Sequence, residues 1–162
     1  FLREWYRVVN QTPLFTTGDK NFEIMDIYKF DPAKTHVLSS EVNGMTNYAQ
    51  QLIQGKQVQQ ALNMLLRALS IDPRSSITYY YTAYAYSLLG DGANAEKNLL
   101  KALELYPGYS DAAISLADMY RKQNKITEAR KISDNYLKIN PSDSTMIKLM
   151  TTLPDSTRIN EN

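Results

Sequence analysis

The sequence predicts an all-α fold in which helical hairpins stack side by side. Matching residues recur every 34 positions, as the prolines Pro73, Pro107 and Pro141 show. Inside the second interval, residues at helical spacing stop at a turn rich in glycine and then resume. Two helices and a turn, repeated at a fixed interval, are typical of a solenoid whose hairpins bury themselves against their neighbours.

Two columns of alanine mark the places where paired helices approach closely. A small side chain lets two helix backbones cross at short distance, whereas a larger one pushes them apart. The two columns, each with the same interval, are Ala49, Ala83 and Ala117, and Ala61, Ala95 and Ala129. We therefore predict one helix crossing in each interval.

Prolines mark the end of each unit, and serines mark the start of the next. A proline ends a helix because it lacks the backbone amide and clashes with the preceding turn. Shortly after each proline, a serine stands near the start of the next helix, at Ser76, Ser110 and Ser144. We expect these hydroxyls to accept hydrogen bonds from the first unpaired amides of the helices.

This pattern resembles the tetratricopeptide repeat family, whose units of 34 residues are helix-turn-helix hairpins with small residues at the crossing and a terminal proline. The resemblance covers residues 42–143 as three units, 42–75, 76–109 and 110–143. It implies a right-handed α-α superhelix that serves as a scaffold for protein-protein interaction.

The first and third units depart from the family pattern. The first has Met45 where the family favours tryptophan, and its glycine, Gly55, comes one position early. The third has Ser133 in place of a large apolar residue and Tyr136 in place of an alanine. We expect the second helix of the third unit to pack less regularly than that of the middle unit.

The N-terminal segment, residues 1–41, fits no repeat and is expected to have mixed α/β character. A strand is predicted around Tyr6–Val9, a strand or turn around Leu14–Thr17, and a strand around His36–Ser39. A helix is predicted within residues 22–30, because Ile24, Ile27 and Tyr28 are helically spaced. The segment is either a cap on the first repeat or the remnant of an upstream domain.

The C-terminal part is predicted to close the stack. Apolar residues at helical spacing indicate a capping helix at 144–154, which an open solenoid requires. The residues concerned are Met146, Ile147, Met150 and Leu153. Residues 155–162 are polar and are expected to form a flexible tail.

Composition excludes several functional classes. The 162 residues include 18 basic and 17 acidic side chains, so a net charge of +1 gives no general attraction to nucleic acid. The absence of cysteine and the single histidine, His36, exclude thiolate and multi-histidine metal sites. No apolar run is long enough to insert into a membrane. We expect no cofactor, no metal and no nucleic-acid partner.

One segment partly matches an enzyme motif. Gly108 to Ala112 resembles the Gly-x-Ser-x-Gly nucleophile elbow, but that motif requires a strand before it and a helix after it. Here the repeat places the segment between two helices. We therefore predict no catalytic residue and no enzymatic activity.

The first helix of each unit is expected to line a concave groove, because stacking joins these helix faces into one trough. Its centre is aromatic and apolar, which suits an extended peptide or an amphipathic helix. The predicted groove residues are Asn43, Thr46, Asn47, Gln50 and Gln54, then Ile77, Tyr80, Tyr81, Tyr84 and Leu88, and finally Asp111, Ile114, Ser115, Asp118 and Lys122.

Some members of the family hold a peptide's terminal carboxylate with lysine, asparagine and arginine side chains. This chain has none of them at the matching positions, which are Thr46, Gln50, Tyr81, Asp111 and Ser115. The predicted function is therefore the binding of another protein without this clamp. The alternatives are an accessory or regulatory C-terminal domain of a larger enzyme or envelope protein, and a homo-oligomer.

Overall fold

The computed structural model describes the backbone of residues 13–15 and 27–28, and all of residues 39–154. The chain divides into two units, Phe1–Leu38 and Ser39–Asn162. The strands predicted at residues 6–9 and 36–38 and the tail at 155–162 lie outside the described residues.

Two short strands are described in the first unit. Strand β1 (Pro13–Phe15) pairs antiparallel with β2 (Ile27–Tyr28), so that Pro13 lies opposite Tyr28 and Phe15 opposite Ile27. The helix predicted within residues 22–30 is wrong for Ile27 and Tyr28. Branched and aromatic side chains favour a strand where a partner strand is available, and that partner cannot be read from local spacing.

Seven helices are described in residues 39–154, and the all-α fold class is confirmed. They are α1 (Ser40–Gln54), α2 (Val58–Ile71), α3 (Ser76–Leu88), α4 (Gly92–Leu105), α5 (Ser110–Lys122), α6 (Ile126–Leu137) and α7 (Ser144–Thr152). Helices α1 and α2, α3 and α4, and α5 and α6 form three successive hairpins. Among the described residues, no helix has both the length and the apolar character of a membrane span.

Three core clusters hold the helices together, and two of them draw their buried residues from neighbouring hairpins. One joins α1, α2 and α3, and includes Leu65 and Ala85. The second joins α3 to α6 around Leu99 and Leu116, and the third joins α5, α6 and α7. All six alanines of the two columns are at most 1% exposed, as close helix crossing requires.

The turns inside the three hairpins share one backbone geometry. Lys56, Gly90 and Asn124 have φ values of 60°, 81° and 59°, which places them in the left-handed region. In each turn, the amide of this residue and the next amide donate to carbonyls of the preceding helix, for example Lys56 to Ile53 and Gln57 to Leu52. This is the Schellman arrangement that ends many helices, and it favours glycine at the left-handed position.

The helix caps lie one residue before the predicted serines. Ser75 accepts from the Thr78 amide, and Asp143 accepts from two amides of α7. The serines predicted to act as caps are already the first helical residues, namely Ser76, Ser110 and Ser144. The prediction for the serines is wrong, because the capping oxygen must come from the preceding residue with non-helical dihedrals, and before α5 that residue, Tyr109, makes no side-chain cap.

Three buried hydroxyls form a hydrogen-bonded chain between α1 and α3. Thr46 donates to the Val42 carbonyl, so at the 2.9 Å contact between the two threonines Thr78 must be the donor. By the same reasoning Ser75 donates to Thr78, and it accepts from the Thr78 amide. Thr46 is 1% exposed, so its placement in the groove is wrong. We call Ser75, Thr78 and Thr46 the hydroxyl chain.

Asp143 ties α7 to the last hairpin. Its Oδ2 atom accepts from the Tyr136 hydroxyl at 2.6 Å and from the Ser110 hydroxyl at 3.1 Å. Its Oδ1 atom accepts from the amides of Thr145 and Met146. The Tyr136 hydroxyl is the main reason that the pKa of the Asp143 carboxyl lies below its usual range, and the Met146 amide comes next. The tyrosine that replaces the usual alanine thus supplies a contact to α7.

These bonds predict a pH dependence of stability. An Asp whose folded-state pKa is lowered stabilises the fold fully above its unfolded pKa of about 3.9, and this contribution is lost as the pH falls through the folded value. Asp143→Asn removes the charge. We therefore expect the urea midpoint of the wild type to exceed that of the variant at neutral pH, and the gap to narrow below about pH 4. A gap that stays constant from neutral to acidic pH would contradict the charge-dependent role.

Candidate functional site

Two clefts lie between the first helices of successive hairpins. The first cleft, between α1 and α3, has a volume of about 490 Å³ and is lined by Gln50, Ile53, Lys56, Tyr81, Tyr84 and Leu88 among others. The second cleft, between α3 and α5, has a volume of about 330 Å³ and is lined by Tyr80, Tyr84, Leu99, Asp118, Met119 and Lys122 among others.

Tyr84 belongs to both clefts. Its side chain is 46% exposed, and Leu88, one turn later on α3, is 50% exposed. The opposite side of α3 is buried through Thr78, Thr82 and Ala85. The same helix therefore packs with small and β-branched residues and presents large amphipathic and apolar ones to the clefts.

A cluster of tyrosine rings continues from the clefts toward the start of α5. The ring of Tyr80 lies 5.2 Å from that of Tyr81 and 5.2 Å from that of Tyr109. Burial, followed by the negative charge of Asp111, raises the pKa of Tyr80 and of Tyr81. These hydroxyls are therefore neutral at physiological pH and able to donate or accept hydrogen bonds.

A charged group stands at the far side of the second cleft. The Asp118 carboxylate contacts Arg121 at 2.6 Å and Lys122 at 2.7 Å. Burial raises the pKa of Asp118, but the hydrogen bonds from Lys122 and Arg121 outweigh it and hold this pKa below its usual value. The carboxylate is thus ionised, and the three side chains together carry one net positive charge.

The structure brings nine of the fifteen predicted groove residues to the clefts. They are Gln50, Gln54, Tyr81 and Leu88 in the first, Tyr80, Ser115, Asp118 and Lys122 in the second, and Tyr84 in both. The other six line neither cleft: Asn43, Asn47 and Asp111 are exposed, Ile77 and Ile114 are partly buried, and Thr46 is buried.

Several cleft residues escaped the sequence prediction. Ser87 lies one turn beyond Tyr84 on the same helix face, so extending the helical spacing finds it. Met119 and Gln123 require knowledge of how α5 stacks on α3. For Lys56, the available signal is its spacing of 34 residues from Gly90 and then Asn124, which places it at the same turn position in the first hairpin. Within the described residues, no group of three or more acidic or histidine side chains is placed to hold a metal ion.

Stacked helical hairpins of this kind define a helical-repeat scaffold of the protein-binding class. A sequence profile described as tetratricopeptide repeat matches residues 86–153. The tetratricopeptide repeat assignment predicted from the sequence is confirmed for the part of the chain that this profile covers.

Solved structures share the fold. The Sgt2 tetratricopeptide repeat domain from Aspergillus fumigatus superposes with a TM-score of 0.63 at 21% identity, covering 70% of this chain and 77% of that one. The first such domain of Spaghetti (RPAP3), bound to an HSP90 peptide, gives 0.63 at 20% identity and covers 72% and 92%.

Curated relatives are longer proteins. DnaJ homolog subfamily C member 3 of Bos taurus is 27% identical over 107 residues, which is 66% of this chain and 21% of that protein. The Homo sapiens protein of the same name is 26% identical over the same length. The chain thus spans about a fifth of the length of these relatives.

Proposed function

We propose that this chain binds a partner protein through an extended peptide or an amphipathic helix laid along the two clefts. The observation that carries this proposal is the position of Tyr84, which is half exposed and forms a wall of both clefts. A partner that fills both clefts would bury Tyr84 from two sides, and fully enclosed tyrosines are frequent binding hot spots.

The chemistry of the clefts supports a partner with apolar side chains. Ile53 and Leu88 in the first cleft, and Leu99 and Met119 in the second, provide apolar contact area. Tyrosine adds ring surface at a low entropy cost and keeps a hydroxyl for orientation. Two adjacent pockets on one face favour a ligand with two anchor side chains on a single segment.

The clefts do not favour a ligand held by its terminal carboxylate. Among the positions that would carry a carboxylate clamp, Thr46 is buried in the hydroxyl chain and Asp111 is acidic. The Spaghetti (RPAP3) domain with its HSP90 peptide shows that a similar fold accommodates a peptide. For this chain we propose an internal segment of the partner instead of a chain terminus.

Tyr84→Ala is expected to weaken binding about 30-fold or more, the loss typical of a hot-spot residue. Short random peptides displayed on phage are selected on the wild-type chain, and the affinities of the selected peptides are then measured by titration. Tyr48→Ala is the matched control, because Tyr48 is 51% exposed and lines neither cleft. Equal affinities of the Tyr84→Ala variant and the wild type, with unchanged helical circular dichroism, would contradict the proposal.

The other predicted roles stay predictions. An accessory or regulatory domain of a larger enzyme or envelope protein would use the same groove to dock a part of its own polypeptide. A homo-oligomer would show a concentration-dependent sedimentation coefficient.

A further inference from the structure

We propose that Lys56 determines specificity in the first cleft, where its ammonium group binds an acidic side chain of the bound segment. This inference rests on the proposed function, since it names a chemical preference of the same groove. It is carried by two independent observations, the backbone conformation of Lys56 and the composition of the cleft.

The backbone of Lys56 is strained. Its equivalents in the second and third hairpins are Gly90 and Asn124, and all three share left-handed dihedrals and the same pair of turn hydrogen bonds. Glycine adopts this conformation freely and asparagine tolerates it, whereas in most other residues the Cβ atom comes too close to the following carbonyl oxygen. The neighbouring Gly55 has a φ of −75°, so glycine is present but not where the turn requires it.

Strained backbone conformations are concentrated at binding sites and active sites. A cation near the C-terminus of α1 also interacts favourably with the helix dipole. Any position in the last turn would supply that interaction without a strained backbone, yet α1 has no basic residue there. The dipole therefore does not explain why lysine occupies the one left-handed position.

The charge of Lys56 has no ion-pair partner among the residues that the structure describes. Lys56 is exposed and lines the cleft beside Tyr81, Tyr84 and Leu88. No acidic side chain in the described part of the chain lines this cleft. In the second cleft, by contrast, Lys122 is already paired with Asp118 at 2.7 Å. The first cleft is therefore complementary to an apolar side chain with a carboxylate close to it.

The first test removes the charge of Lys56 without placing glycine at its left-handed position. Phage-displayed random peptides are selected in parallel on the wild type and on Lys56→Gln, which removes the charge but keeps a long side chain. We expect Asp and Glu to be enriched only in the wild-type pool. A peptide from that pool should bind Lys56→Gln about three- to tenfold more weakly at low salt, with the difference shrinking at high salt.

Asn124→Gly and Lys56→Gly separate the two effects. Both variants place glycine at a left-handed position, so both should raise the melting temperature. Only Lys56→Gly should weaken the binding of the peptide, because Asn124 lines neither cleft. Equal acidic content of the two peptide pools, or equal affinity at low salt, overturns the role of Lys56. If Tyr84→Ala still weakens binding as expected in that case, the proposed function stands. If no peptide binds the wild type, both proposals are rejected.

Discussion

Thr78→Val is expected to lower the free energy of unfolding by about 1–3 kcal/mol, although valine has nearly the same shape as threonine. Thr78 is the middle member of the hydroxyl chain and is fully buried. Without the Thr78 hydroxyl, the Ser75 hydroxyl loses its acceptor. The Thr46 oxygen loses the hydrogen bond that it accepts across the α1–α3 contact. Thr46 would still donate to Val42 and Ser75 would still accept from the amide of residue 78. The buried Ser75 proton, however, would have no acceptor, and a buried donor without an acceptor costs more than its bond contributed.

The matched control is Thr82→Val, one turn further along α3. Thr82 is also fully buried, but its hydroxyl donates only to the Thr78 carbonyl of its own helix. Its removal leaves no other side chain unsatisfied, so we expect a change within about 0.5 kcal/mol. Urea denaturation followed by circular dichroism measures both variants. Equal losses would mean that the hydroxyl chain contributes nothing beyond ordinary packing.

Ala95→Leu should destabilise the middle hairpin by about 1–3 kcal/mol through overpacking. Ala95 is 0% exposed on α4, and Ala83, which is 1% exposed, is its counterpart on α3. A leucine at either position adds three heavy atoms to a helix contact that has no room for them. The helices must move apart or the side chain must leave its preferred rotamers.

The control is Ala93→Leu, on the same helix but exposed to solvent. Because no neighbour is displaced there, we expect a change within about 0.5 kcal/mol. Thermal denaturation of the three proteins makes the comparison. A melting temperature of Ala95→Leu equal to that of the wild type would show that α3 and α4 do not cross closely at this position.

The repeated hairpins could be predicted because their determinants are local and periodic. A close helix crossing requires a small residue such as alanine in every unit, and a proline such as Pro107 cannot continue a helix in any surroundings. Such requirements recur with each unit, so the sequence displays them three times. A strand or turn was predicted near β1, but β2 was predicted to be helical, because the pairing between Phe15 and Ile27 depends on a partner distant in sequence.

The groove was harder to predict because it depends on which way polar residues face. Thr46 follows Val42 by four positions and precedes Ala49 by three, so helical spacing places it on the buried side of α1. The polar hydroxyl of Thr46 suggested that this side chain is exposed. It is buried instead, because the Thr78 hydroxyl of the next hairpin makes a hydrogen bond to it. The side chains of Met119 and Gln123 reach the second cleft only through the stacking of α5 on α3.

Because two core clusters bridge adjacent hairpins and the third joins the last hairpin to α7, no single core holds residues 39–154 together. Local opening should therefore begin at an extremity and advance inward one hairpin at a time, a gradient that amide hydrogen exchange can resolve. The same arrangement would allow a whole hairpin to be duplicated within the array. The array would become longer, while each hairpin would still pack against neighbours of the same kind.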